Sequence, residues 1–356
     1  MDVKICANCL LTDETPGILF DEKGVCNYCS SYEKMRVQGE EKLIEILDQF
    51  RGKEGKFDCM VGLSGGRDST YTLWKLVNDY KMRVVAIHYD NPFNSGQARK
   101  NMQRASEILG IDIIKWGFPE GAHVNATKKA LKVWAHHPSS IMIPVVCAHC
   151  KNWWPTIFKH ARENKVSLVV LGSNPLETAS FKKVGFGGAR TYHKLSNLPN
   201  IIRKSLKELT ANPRYLTHIS WPLILSMYLG AGHTSPYLQW RYKDVTVIRL
   251  FDYIKWNETE VESTIRTHLD WQKSTEVASS WRFDCRLDYV RRKMYASTVN
   301  VTELRDLLSK MIREGMITRD TAMERLKVED YIPISVIENV LSSLGMNVPD
   351  LKLKNV

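Results

Sequence analysis

Residues Val61 to Thr70 read VGLSGGRDST, and the stretch Ser64-Gly65-Gly66-Arg67-Asp68-Ser69-Thr70 inside them has the composition of an anion-binding loop. It follows the apolar run Phe57-Asp58-Cys59-Met60-Val61 and leads into the helix-compatible Tyr71-Thr72-Leu73-Trp74-Lys75-Leu76-Val77, the succession of strand, small polar loop and helix that cradles phosphate. Glycines let bare backbone N–H groups approach an anion, and the Ser64 and Ser69 hydroxyls add donors at the helix N-terminus. Arg67 adds charge, and Asp68 is of the type that holds Mg²⁺. A Walker loop needs a Lys-Ser/Thr pair after its last glycine; none occurs here, which disfavours an ordinary kinase or ATPase.

The second chemical signal is cysteine. Six of the eight fall in C-x-x-C pairs, Cys6/Cys9, Cys26/Cys29 and Cys147/Cys150, leaving Cys59 and Cys285 alone. The first two pairs make a C-x2-C-x16-C-x2-C set with the spacing of a four-thiolate zinc knuckle. All four positions are filled by thiolates, so the expected zinc is structural. Four unliganded thiols packed into thirty residues is the weaker reading. Cys147-Ala148-His149-Cys150 has no second pair nearby. The sequence expects it to open a helix, whose N-terminus favours thiolate and suits a redox pair, a sulfur carrier or metal ligands. Cys285 is a candidate third ligand, leaving an open site on an iron-sulfur cluster; a structural cysteine contact with an isolated buried thiol explains the same residues equally well. Cys59, inside a strand, reads as core.

Four apolar runs must position these groups: FDCMVGL (57–63), RVVAIHYD (83–90), IDIIKWGF (111–118) and SLVVLGSN (167–174). They alternate with helical segments from Ser69 to Tyr80, Ser95 to Leu109, Ala122 to Ala135 and Lys151 to Asn164. This βαβα rhythm predicts an α/β fold, a doubly wound parallel sheet with helices on both faces. Ligands in such sheets bind beyond the carboxyl ends of the strands. There the chain places SGGRDS, then His88, Asp90 and Asn91, then Gly172 and Asn174. His88, Asp90, Gly172 and Asn174 are candidate nucleotide contacts, against the plainer reading of strand-end turns and a satisfied histidine.

Four regions follow: a knuckle module over 1–32, too small for a core without a staple; an amphipathic linker helix within 33–56; the α/β domain with an aromatic-rich substrate region over 57–255; and a helical region over 256–356. Asn257 and Glu260 have capping-box spacing at the start of the last region. Hydrophobic content of 44% and charged content of 25% are those of a folded globular chain and argue against long disorder. The longest apolar stretch, ISWPLILSMYLGAG (219–232), is too short to span a bilayer. The first residues lack the apolar core of a signal peptide, so a cytoplasmic location and no membrane partner are expected. A net charge of +11 suits a polyanionic partner, but the basic residues are dispersed rather than gathered into an RNA-binding arm.

Ser64 to Ser69 match the SGGxDS loop of the ATP-pyrophosphatase (PP-loop, adenine nucleotide alpha-hydrolase-like) superfamily, which implies a HUP-like fold, cleavage of ATP between the α and β phosphates, and adenylation of a substrate oxygen. More narrowly, the chain resembles the N-acetyl sugar amidotransferases of bacterial surface-polysaccharide biosynthesis. The likeness rests on KICANCLLTDETPGILFDEKGVCNYC, SGGRDST and the carboxy-terminal MIREGMITRDTAMERL. It implies ATP, Mg²⁺ and Zn²⁺ as cofactors and a nucleotide-linked or free sugar, or another amide, as acceptor. Ammonia would come from separate glutaminase and channel partners. Where that family has Trp/Tyr-Gly-Glu-Asn-Pro, this chain has Leu171-Gly172-Ser173-Asn174-Pro175. The set Cys147, Cys150 and Cys285 also resembles the sulfur-transferring branch, which thiolates tRNA bases or makes small thioamides.

Both enzyme readings begin with a carbonyl oxygen attacking the α-phosphorus while the loop and Mg²⁺ stabilise the leaving pyrophosphate. They differ in the second nucleophile, nitrogen or sulfur. In both, Arg67 and Asp68 serve the adenylation, and Cys147 and Cys150 stand beside it. A third reading, a non-catalytic zinc-knuckle RNA-binding protein, is disfavoured because the loop is intact.

Overall fold

The computed structural model describes residues 3–53, 55–151, 153–185, 198–219 and 235–353; all of the stretch 219–232 except Ile219 lies outside them. Five parallel strands form one sheet in the order β3-β2-β1-β4-β5. They are β1 (Cys59–Gly62), β2 (Val84–Tyr89), β3 (Ile113–Trp116), β4 (Leu168–Leu171) and β5 (Thr246–Arg249). The first four lie inside the expected runs; the fifth is the core of VTVIRLFDYI.

Alternation explains why these segments are strands. In β1, Cys59 and Val61 join one apolar cluster while Met60 joins another; in β2, Val84 and Ala86 part from Val85 and Ile87 in the same way. A period of two with both faces apolar is what a sheet buried on both sides requires. The helix Trp154–Glu163 covers the second face through Trp154, Ile157, Phe158 and Ala161. On the first face lie the helices Arg67–Trp74, Gly96–Leu109 and Ala122–His136.

Helix starts follow their local signals. Ser95, Asn257, Thr302 and Thr318 each accept a hydrogen bond from a backbone N–H of the helix they begin, satisfying donors that the first turn leaves open. At Asn257 the capping box is half made. Its Oδ1 takes the N–H groups of Thr259 and Glu260, while the Glu260 carboxylate receives the Tyr71 hydroxyl. The helices Glu303–Arg313, Arg319–Glu329 and Ile334–Ser343 pack into the same apolar cluster as the sheet. Among the described residues no helix is long and apolar enough to cross a membrane.

The strand order reverses direction between β1 and β4, because the chain winds outward first through β2 and β3 and then returns to β4 on the other side of β1. A crevice opens at such a switch point, beyond the carboxyl ends of the two central strands. The polar stretches SGGRDS and GSNP both lie there.

Candidate functional site

The loop after β1 is tightly determined. Gly65 has φ +81°, and a Cβ on it would stand 2.2 Å from the Ala98 carbonyl oxygen. Its own carbonyl accepts from Asn101 Nδ2 at 3.2 Å and Trp271 Nε1 at 3.1 Å. Gly172, at the end of β4, touches the first turn of the loop's helix: a Cβ there would lie 2.6 Å from the Asp68 carbonyl oxygen. The two serines close the loop, with Ser64 Oγ and Ser69 Oγ 3.1 Å apart and the Gly66 N–H donating to Ser64 Oγ at 3.3 Å. Ser64, Gly66, Arg67, Asp68 and Ser69 line a cavity of about 580 Å³, within the ~300–1,000 Å³ of small-molecule sites.

Arg67 and Asp68 are both engaged by the protein. Arg67 is 3% exposed. It pairs with Glu258, donates to Ser280 Oγ at 3.0 Å and stacks on Trp256 with its guanidinium 5.1 Å from the ring centroid. Its charge is therefore met within the protein. Asp68 Oδ1 accepts from Trp256 Nε1 at 3.1 Å. Burial pushes its pKa up to about 7 against the pull of Arg67, and Glu177 adds repulsion. A carboxylate so placed gains by meeting a cation.

The other strand-end residues divide. His88 lines the cavity, but its ring spans two loops: Nδ1–H donates to the Leu63 carbonyl at 2.9 Å, and Nε2 accepts from Asn94 Nδ2 at 2.9 Å. Burial lowers its pKa and keeps it neutral, so it braces the loop. Asp90 points outward and pairs with Arg99 at 2.6 Å. Gly172 lines the cavity. Asn174 is buried with Oδ1 on the Leu176 N–H at 2.9 Å and, among the described residues, no hydrogen-bond partner on Nδ2. Thr70 is buried and donates its hydroxyl to the Gly66 carbonyl at 2.8 Å.

Cys147, Cys150 and Cys285 reach the same cavity. Asn91 Nδ2 lies 3.4 Å from Cys285 Sγ and 3.9 Å from Cys150 Sγ. An amide NH₂ only donates, so both sulfurs act as acceptors. Cys150 Sγ is 3.7 Å from His123 Nε2, whose ring meets the Tyr89 hydroxyl at 2.6 Å. Burial pushes the Cys285 thiol up to about 12, with Cys147 and Asp284 adding to it. The expected helix start at Cys147 is corrected: Cys147 ends a 3₁₀ turn (Ile143–Cys147), Cys150 lies in a four-residue helix (Ala148–Lys151), and the long helix begins at Trp154. Pro155 explains the break, since proline favours the first turn of a helix over its interior. Neither cysteine stands at the N-terminus of a long helix.

A further wall of the cavity comes from 280–291, far away in sequence. Asp284 lies against the loop itself, Glu177 accepts from Trp281 Nε1 at 2.9 Å, and Arg282 stands 3.6 Å from both Glu177 and Glu303. Arg291 pairs with Asp288 and with Glu303. Sequence reading missed Asp284, Glu177 and Arg291 as site residues. The one available signal was Asp284 beside Cys285.

The Cys6, Cys9, Cys26 and Cys29 ligand atoms all lie within 4.8 Å of one another. Sulfur pairs stand 3.9 Å (Cys6/Cys29) and 3.8 Å (Cys9/Cys26) apart. Tetrahedral Zn–S bonds of about 2.3 Å place sulfurs ~3.8 Å apart, so the donor set fits zinc. Arg313 donates to Cys29 Sγ at 3.2 Å and Cys9 Sγ at 3.3 Å; with a metal bound, these bonds would offset the excess negative charge of a four-thiolate centre and orient its ligands.

No protein-family model matches the sequence. The chain is similar to an uncharacterized protein of Methanocaldococcus jannaschii, 26% identical over 117 residues, covering 31% of this chain and 41% of that protein; it therefore spans less than half the length of this relative. Among solved structures it is similar to the U34-tRNA thiolase NcsA from Methanococcus maripaludis with its 4Fe-4S cluster, at 15% identity and TM-score 0.34 over 92% of this chain and 89% of that one. It is also similar to NMN synthetase from Francisella tularensis (17% identity, TM-score 0.29, 46% and 68% covered). A further likeness is to the NH3-dependent NAD synthetase from Campylobacter jejuni (15% identity, TM-score 0.29, 52% and 89% covered). Overlaps this loose fix neither substrate nor reaction.

Proposed function

We propose that the chain is an ATP pyrophosphatase of the SGGxDS type that adenylates a carbonyl oxygen of its acceptor, releases pyrophosphate, and lets ammonia displace AMP. The acceptor in this reading is the N-acetyl group of a sugar, and the product carries an acetamidino group. The observation that carries it is that Ser64, Gly66, Arg67, Asp68 and Ser69 line one cavity of about 580 Å³, with a further wall from 280–291. One enclosure of that size suits nucleotide and acceptor side by side, the proximity that in-line attack needs. Mg²⁺, held by Asp68 and its neighbouring carboxylates, would neutralise the departing pyrophosphate. Zinc in the knuckle would be structural. Separate glutaminase and channel proteins would supply ammonia. The choice of nitrogen rests on the sequence likeness in the knuckle and the carboxy-terminal region.

A second reading is favoured by one specific contact: Asn91 donates toward the sulfurs of Cys150 and Cys285 inside the same cavity. Three cysteines facing the nucleotide site suit an iron-sulfur cluster or a persulfide, which would deliver sulfur in place of ammonia to a small amide or a tRNA base.

The test supplies ATP and candidate acceptors with ammonium or sulfide separately and weighs the product. Exchange of oxygen for NH lowers the mass by about one unit and exchange for sulfur raises it by about sixteen, because AMP carries the original oxygen away. A gain of sulfur that depends on Cys147 and Cys150 refutes the nitrogen reading. Release of ADP and phosphate in place of AMP and pyrophosphate refutes both.

A further inference from the structure

Asp284 occupies an unexpected place for a carboxylate. The Asp284 carbonyl accepts the Ser95 N–H at 3.0 Å, Cys285 bridges to Asn94, and the Arg286 N–H reaches the Phe93 carbonyl at 2.8 Å. These bonds fasten 284–286 alongside 93–95 and lay the Asp284 side chain on the phosphate loop. A Cβ on Gly66 would lie 3.4 Å from Asp284 Cγ and 3.5 Å from Oδ2. Gly66 caps the loop's helix, where N–H groups are oriented toward an anion. A negative side chain is thus built into a cradle whose dipoles otherwise attract phosphate.

Among the described residues, the nearby arginines do not neutralise it. Arg67 is taken by Glu258, Arg282 lies between Glu177 and Glu303, and Arg291 lies between Asp288 and Glu303. Asp68 and Glu177 line the same cavity and add negative charge. A metal-free polyphosphate entering here meets like charge at contact range, whereas a divalent cation satisfies carboxylate and phosphate oxygens together.

We propose that Asp284 makes polyphosphate binding conditional on a divalent cation, rejecting free ATP and pyrophosphate and admitting their Mg²⁺ complexes. The proposal rests on the nucleotide reading of this cavity.

The experiment is calorimetric titration of the full chain with ATP and with pyrophosphate, each with Mg²⁺ and with chelator, in wild type, Asp284→Asn and Asp284→Glu, alongside thermal melts. Wild type should bind the Mg²⁺ complexes at least about tenfold more tightly than the free anions, a ratio worth about 1.4 kcal/mol. Asp284→Asn should tighten metal-free binding and shrink the ratio by about tenfold, while Asp284→Glu, which keeps the charge, should retain it. An unchanged ratio in Asp284→Asn, with ATP still bound, overturns the proposal and leaves the nucleotide site standing. Equal wild-type affinity for free and Mg²⁺-bound pyrophosphate also overturns it, whatever the variants do. Absence of ATP binding in wild type under both conditions refutes the nucleotide reading and the proposal with it.

Discussion

Gly65→Ala should damage stability and nucleotide binding together. The added Cβ would lie 2.2 Å from the Ala98 carbonyl oxygen and 2.8 Å from the Ala98 carbonyl carbon, both backbone atoms of the helix Gly96–Leu109, and the residue sits at φ +81°. No side chain can rotate away to relieve the contact. Holding a non-glycine residue in the left-handed region costs about 1–2 kcal/mol, and forcing a methyl into a packed position costs about 1–3 kcal/mol more. The expected loss is about 2–5 kcal/mol, a large part of the roughly 5–15 kcal/mol that holds a typical domain. If the loop shifts to make room, its N–H groups leave their places, and a misplacement of about 1 Å can cost on the order of 10² in rate. Urea unfolding and ATP titration on the same preparation measure both effects. Gly96→Ala is the control, because nothing lies within 4 Å of its Cβ position; it should stay within about 1 kcal/mol of wild type. A Gly65→Ala protein as stable as wild type, with unchanged ATP affinity, would refute the close-packed loop.

Asp68→Ala should abolish conversion of ATP to AMP and pyrophosphate while leaving the zinc content unchanged, as read by phosphorus NMR and metal analysis. The knuckle should hold one zinc per chain. A Cys6→Ser/Cys26→Ser variant should lose it and unfold the module, since metal-binding free energy is folding free energy in such units; full zinc in that variant counts against the assignment. Asp58 predicts an acid limb of stability. Burial pushes its carboxyl up, but hydrogen bonds from the Arg83 side chain and from the Arg83 and Gly52 N–H groups outweigh this and hold its pKa below the ordinary value. The unfolded chain then binds more protons here, so this stabilisation is full above about pH 4 and fades as pH falls through the folded pKa. Asp58→Asn should flatten that limb in pH-dependent unfolding. Anaerobic purification followed by a visible spectrum should show no cluster absorption under the nitrogen reading, whereas absorption that disappears in Cys285→Ser would favour sulfur.

Much of the architecture is written locally. Strands β1 to β4 announce themselves by apolar runs that alternate between two clusters, because successive side chains of a strand face opposite ways. Ser95, Thr302 and Thr318 mark helix starts because their hydroxyls can satisfy open N–H groups. The knuckle is legible because two C-x-x-C turns need no distant partner to form a four-sulfur site. SGGRDS carries its strand, loop and helix within twenty residues. Other features exist only once the chain has folded. The path out through β2 and β3 and back to β4 makes the switch-point crevice, and no short segment encodes that order. Arg67 reads as a phosphate ligand until Glu258, 191 residues on, takes its guanidinium. Asp284 and Cys285 enter the cavity through backbone bonds to 93–95, which sequence spacing cannot reveal. Their placement depends on long-range packing that closes loops of nearly two hundred residues, and the free energy for that comes from the shared apolar core rather than from any local propensity.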